Sequence, residues 1–165
     1  MKIFISYSKV DSVSADIIYN ELLNRDFSPW LDEKNLLPGQ EWAVEIKREI
    51  EKSDFCIILL SNKSVNKRGF FHKEICKALD VLETIPENCI YIIPLRLDDC
   101  KVPEKIKKYQ WVDLFSDWNS GIEKTVQAIY SQISPEKDQE KYKQKRCFEY
   151  IKTAYIRFSY SSSKA

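Results

Sequence analysis

Short, unbroken apolar runs alternate along the chain with stretches in which apolar residues recur every three or four positions. Runs of the first kind suit strands buried on both faces, and stretches of the second suit helices laid over them. Their alternation predicts an α/β fold with a parallel sheet. Ile3 to Ser6 is the first predicted strand. Residues from about Asp11 to Asn24 form the first helix, with Ser14, Ile18 and Leu22 on one stripe, Ile17 and Leu23 beside it, and Asp11 or Ser12 placed to cap its amino end. Phe27 to Leu31 forms a second strand, which Pro29 assigns to a sheet edge, where a missing amide costs least. Asp54 to Ser61 reads as the central strand, Cys89 to Leu95 as another of the same type, and Gln110 to Leu114 as a short last one.

Between the second and third strands lies a loop from Asp32 to Gly39, in which Pro38-Gly39 suits a type II turn. A helix follows with Trp42, Ile46 and Ile50 at four-residue spacing, and Trp42 is assigned to the core. Phe71, Ile75, Ala78, Leu79 and Leu82 define another core-facing stripe, with Phe70 and Glu74 to one side of it. Trp118, Ile122, Val126, Ile129 and Ile133 make a closing helix that Pro135 ends. The expected division is a domain over residues 1–134 and a C-terminal helical extension over 135–165. That extension is either one more packed helix or a partner-binding helix, and its last residues, Ser159 to Ala165, are expected to fray.

A length of 165 residues and an apolar share of 44% are enough for one domain with a sizeable core. A net charge of +1 supplies no electrostatic drive toward nucleic acid or an anionic membrane, and neither is expected as a partner. The five cysteines have no C-x-x-C pair and several lie inside apolar runs, so they read as small buried hydrophobes in a reducing compartment. With no signal peptide and no run long enough to span a bilayer, a cytoplasmic protein is expected.

In an open parallel sheet, ligands bind beyond the carboxyl ends of the strands, where strand order reverses. Three segments should meet on that rim: Ser6, Tyr7, Ser8 and Lys9 after strand one, Asp32 and the Pro38-Gly39 turn after strand two, and the stretch leading to Phe70 and Glu74 after strand three. Phe70 and Glu74 stand one helical turn apart, the minimum for holding a flat ring beside a carboxylate, although such a pair also occurs on ordinary helices as a core aromatic and a solvated glutamate. The three glycines form no phosphate-cradling loop, and the single histidine, His72, has no nucleophile elbow to serve. His72 reads as an exposed residue at a helix start. One histidine and scattered cysteines offer no metal-ligand spacing, and no metal is expected.

Four segments together resemble the successive boxes of a Toll/interleukin-1 receptor (TIR) domain of the bacterial, NAD-consuming type. They are Ile3-Phe4-Ile5-Ser6-Tyr7-Ser8; Trp30-Leu31-Asp32 followed by Leu36-Leu37-Pro38-Gly39-Gln40-Glu41-Trp42; Ser53-Asp54-Phe55-Cys56-Ile57-Ile58-Leu59-Leu60-Ser61; and His72-Lys73-Glu74-Ile75 with Ala78-Leu79. The resemblance covers roughly Met1 to Ile133. It implies a flavodoxin-like, doubly wound sheet of about five parallel strands, here with an extra C-terminal helix.

For activity, the resemblance implies cleavage of the nicotinamide-ribose bond of NAD+, which would be substrate rather than cofactor, to give nicotinamide and ADP-ribose or a cyclic ADP-ribose signal. Glu74 matches the carboxylate of enzymatic members. Phe70 stands where many members have Trp, which keeps the aromatic face and loses the indole donor. Ser6, Tyr7, Ser8, Lys9, Asp32, Leu36 and Phe70 are the implied substrate-binding residues, with Ser6, Ser8 and Lys9 toward the diphosphate or ribose. Leu37, Pro38 and Gly39 are the implied assembly loop, through which residues 32–42 would self-associate. A role in antiphage signalling through a downstream effector of the product follows from the same resemblance. The rival is a non-catalytic TIR scaffold, and a weaker third reading is a nucleoside or nucleotide hydrolase using the same carboxylate on a different base.

Overall fold

A computed structural model describes residues 1–66, 80 and 90–132. The chain divides into two compact units, Met1–Gln127 and Ala128–Ala165, and the sheet belongs to the first. The expected domain boundary near residue 134, the C-terminal extension, and the helix carrying Phe70, His72 and Glu74 lie outside the described residues.

The elements run β1 (Lys2–Ser6), a 3-10 turn (Lys9–Asp11), α1 (Ser12–Leu23), β2 (Ser28–Trp30), α2 (Asp32–Asn35), α3 (Trp42–Lys52), β3 (Phe55–Leu60), α4 (Asn62–Val65), β4 (Ile92–Arg96), β5 (Val112–Asp113) and α5 (Trp118–Ser131). The five strands form one sheet in the order β2-β1-β3-β4-β5, and every pairing is parallel. This is the flavodoxin-like α/β architecture. The chain moves from β1 to β2 on one side and returns to place β3 on the other, so strand order reverses between β1 and β3. Pro29 lies in β2, at the sheet edge, and all six residues of β3 are buried at its centre.

Alternation along the strands divides the buried side chains between two faces. Phe4, Cys56, Ile58 and Leu60 face a cluster completed by Trp30, by Ile46 and Ile50 of α3, and by Tyr91 and Ile106. Phe4 and Trp30, paired across β1 and β2, stack with ring centroids 5.1 Å apart. Right-handed crossovers on either side of β1 put α1 on the opposite face from α3. On α1 the buried stripe is Ala15, Ile18 and Leu22, whereas Ile17 and Leu23 are 45% and 50% exposed and stand outside the core. At the far edge, Asp117 accepts the Ser120 amide at 3.1 Å and caps α5. Gly121 then lets α5 close on β5, since a Cβ there would sit 2.5 Å from Leu114 Cδ2.

Trp42 departs from its expected place in the core: it opens α3 and is 50% exposed. Ile46 and Ile50 join the core cluster, but each four-residue step overshoots a helical turn by about 40°, so Trp42 at the start of α3 is turned away from the face that Ile50 presents. Cys56 and Cys100 are buried and stand outside any disulfide, as expected of small hydrophobes.

Candidate functional site

Because β1, β2 and β3 run parallel, their carboxyl ends open on the same rim, and hydrogen bonds connect the three exits. From the β1 exit, the Tyr7 hydroxyl donates to Asp32 Oδ1 at the β2 exit over 2.7 Å. Tyr7 is 8% exposed. Burial, reinforced by the bond to Asp32, pushes its phenol far above the ordinary tyrosine range, so Tyr7 serves as a fixed donor. Asp32 Oδ1 also accepts the Glu33 amide at 2.8 Å, which orients the carboxylate across the rim.

The segment after β2 begins with structure where a loop was expected. Asp32 opens the single helical turn α2, and the Asn35 side chain accepts the Leu31 amide at 2.9 Å, closing that turn on itself. Lys34 ties the turn to α1 through Asp16, at 3.1 Å, and lies over the Tyr19 ring. Leu36 is half-buried against the core cluster. Beyond it the Gln40 amide donates to the Leu37 carbonyl at 3.1 Å, and Gly39 has φ +90°, which forms the turn expected of Pro38-Gly39. Leu37 is 66% exposed, and Trp42 and Val44 are also open to solvent.

The other implied binding residues occupy different positions on the rim. Ser6 is buried at the end of β1, in register with Ile58 of β3, so its side chain is not an open contact surface. Ser8 is half-buried and its carbonyl accepts the Asp11 amide at 2.7 Å, while Lys9 is exposed. Tyr7 and Asp32 are therefore in contact, with Ser8 and Lys9 following directly in the chain. Phe70 and Glu74 lie outside the described residues. Among the described residues no group of His, Cys, Asp and Glu could hold a metal ion, and no helix is long and apolar enough to cross a membrane.

Two polar features on the rim are absent from the expected set. Ser61, at the β3 exit, caps α4 in a reciprocal box with Ser64, and Ser61 Oγ donates to Asp11 at 2.9 Å. Asp98, past the β4 exit, accepts the Asn62 amide at 2.9 Å. The Ser61-x-x-Ser64 spacing after an apolar run is a variant of the capping-box pattern and could have revealed the first. Nothing local in the sequence marks Asp98.

A family model described as "TIR domain" matches residues 3–126, three quarters of the chain. The protein belongs to the TIR domain family. Solved structures share this TIR fold at low identity. The TIR domain of the Toll-related receptor TRR-2 from Hydra magnipapillata is 20% identical, with a TM-score of 0.58 over 71% of this chain and 86% of that one. A metazoan TIR-STING receptor from C. gigas, solved with 2',3'-cGAMP, is 23% identical, with a TM-score of 0.64 over 77% of this TIR chain and 38% of the receptor. Clostridium botulinum CMP N-glycosidase BcmB is 14% identical, with a TM-score of 0.53 over 76% of this chain and 97% of that enzyme. No curated protein matches the chain.

Proposed function

We propose that this TIR domain cleaves the bond between nicotinamide and ribose in NAD+, releasing nicotinamide and either ADP-ribose or a cyclic ADP-ribose nucleotide. The observation that carries the reading is Glu74 within His72-Lys73-Glu74-Ile75, in a chain whose TIR match extends across that segment. An N-glycosidase among the proteins of similar fold is consistent with breaking an N-glycosidic bond on this scaffold.

The chemistry asks for few groups. Nicotinamide leaves from NAD+ as a neutral molecule, so departure needs no general acid, and the ribosyl centre passes through an oxocarbenium-like state that a nearby carboxylate stabilises. Glu74 supplies that carboxylate and Phe70 packs on a substrate ring. Asp32, steadied by Tyr7, together with Ser8 and Lys9, lines the rim where ribose and diphosphate would lie. Water attack yields ADP-ribose, and attack by the substrate's own adenine or ribose hydroxyl yields a cyclic product. Within a bacterial cytoplasm the product would act as an antiphage signal for a separate effector. The test is incubation of the chain with NAD+ at high protein concentration, with nicotinamide and the nucleotide product followed by mass spectrometry.

A scaffold reading has its own support in the exposed Leu37, Trp42 and Val44 around the Pro38-Gly39 turn, which suit TIR-TIR assembly through residues 32–42. Absence of nicotinamide under every assembled condition would favour it. Assembly and catalysis are also compatible, since a neighbouring copy could complete the site.

A further inference from the structure

Residues 37–41 are all open to solvent, so burial does little to hold the turn that presents Leu37. Nor does α2 hold it. The last amide bonded back into that helix is Leu36, which donates to the Asp32 carbonyl at 3.0 Å, and Leu36 then leaves in an extended conformation with φ −75° and ψ 133°. The next amide, Leu37, falls beyond the helix, and Pro38 has none to offer. Gln40 supplies both of the bonds that Leu37 needs. Its side-chain Oε1 accepts the Leu37 amide at 2.8 Å, and its own amide donates to the Leu37 carbonyl at 3.1 Å. The second bond belongs to any turn with Pro38 and Gly39 at its centre, whereas the first needs a side chain that carries an acceptor. The base of the turn is fastened separately, by Tyr7 on Asp32 at 2.7 Å and by Lys34 on Asp16 at 3.1 Å. Leu37 therefore sits on a closed turn above a fixed base.

We propose that Gln40 is a positioning residue for self-association, holding Leu37 in the conformation that a second copy of this chain meets. The lock follows from the geometry, and its effect on association rests on the reading of residues 32–42 as an assembly segment. A turn ordered before contact loses less conformational freedom when the copies meet. One such hydrogen bond corresponds to a change of about fivefold in an association constant.

Gln40→Met separates lock from fold, because methionine keeps the length of the side chain and removes the acceptor. In the full chain, this variant should exchange its Leu37 amide hydrogen at least about threefold faster by NMR. Its self-association midpoint in light scattering should move about fivefold higher in protein concentration, with the thermal unfolding midpoint unchanged. Gln40→Glu keeps an acceptor oxygen and, at about 0.5 M salt where its added charge is screened, should keep the wild-type exchange and midpoint. A merely structural role would move thermal stability and association together. Unchanged Leu37 exchange in Gln40→Met, or faster exchange with the wild-type association midpoint, overturns the proposal and leaves the assembly reading standing. A wild-type chain that stays monomeric at every concentration overturns the assembly reading itself, and with it the role given to Gln40.

Discussion

The Tyr7 hydroxyl and Asp32 Oδ1, 25 residues apart in sequence, meet at 2.7 Å and join the exits of β1 and β2 on the rim of the sheet. Tyr7 is buried and Asp32 half-buried, so the bond is shielded from solvent. Tyr7→Phe should cost about 1–2 kcal/mol in a urea unfolding experiment. It should also raise KM for NAD+ more than it lowers kcat, because the freed Asp32 carboxylate no longer has one orientation. Equal stability of the two proteins would mean that water replaces the phenol without loss.

The Pro38-Gly39 turn gives a backbone prediction free of side-chain effects. Gly39 has φ +90°, and a Cβ there would meet nothing within 4 Å. Gly39→Ala should therefore destabilise through backbone strain alone, by about 1 kcal/mol. If residues 32–42 mediate assembly, the same variant should shift the self-association midpoint in light scattering to higher protein concentration.

Two carboxylates should give opposite slopes of stability against pH. The hydrogen bond and charge of Arg96, whose Nε lies 2.5 Å from Asp113 Oδ1, hold the Asp113 carboxyl below its usual range. Its contribution is present above the unfolded carboxylate range and is lost as pH falls through the depressed value. Asp11 is raised by burial, so it favours the fold in acid and opposes it as pH rises past the unfolded carboxylate value. Thermal unfolding between about pH 3 and pH 7 should show the acid loss reduced in Arg96→Met. The advantage of Asp11→Asn over wild type should grow toward neutral pH. A constant difference across the range would contradict the assignment for either residue.

Strands and sheet order were largely legible from the chain. The uninterrupted apolar run at β3 could be stable only where both faces are covered, and Pro29 could sit only where its missing amide has no partner. Less legible were features decided by contacts distant in sequence. The turn α2 is too short for periodicity to detect and is closed by the Asn35 side chain on the Leu31 amide. Asp11 had the residue type and place of a helix cap, yet Ser61, 50 residues on, takes its carboxylate. Trp42 carried a core pattern, but it opens α3 half exposed while Ile46 and Ile50 take the buried face. On the rim, the sequence could nominate Tyr7 and Asp32 separately, but their bond requires the parallel β1-β2 register to bring them together.

Nicotinamide release from wild type and Glu74→Gln, compared at matched concentration and assembly state, decides whether this TIR domain breaks NAD+ with Glu74 as its carboxylate. Glutamine keeps the size and removes the charge that would stabilise an oxocarbenium-like ribose. Wild type should release nicotinamide measurably, and release by the folded variant should fall at least about a hundredfold. Undiminished release by Glu74→Gln would contradict it.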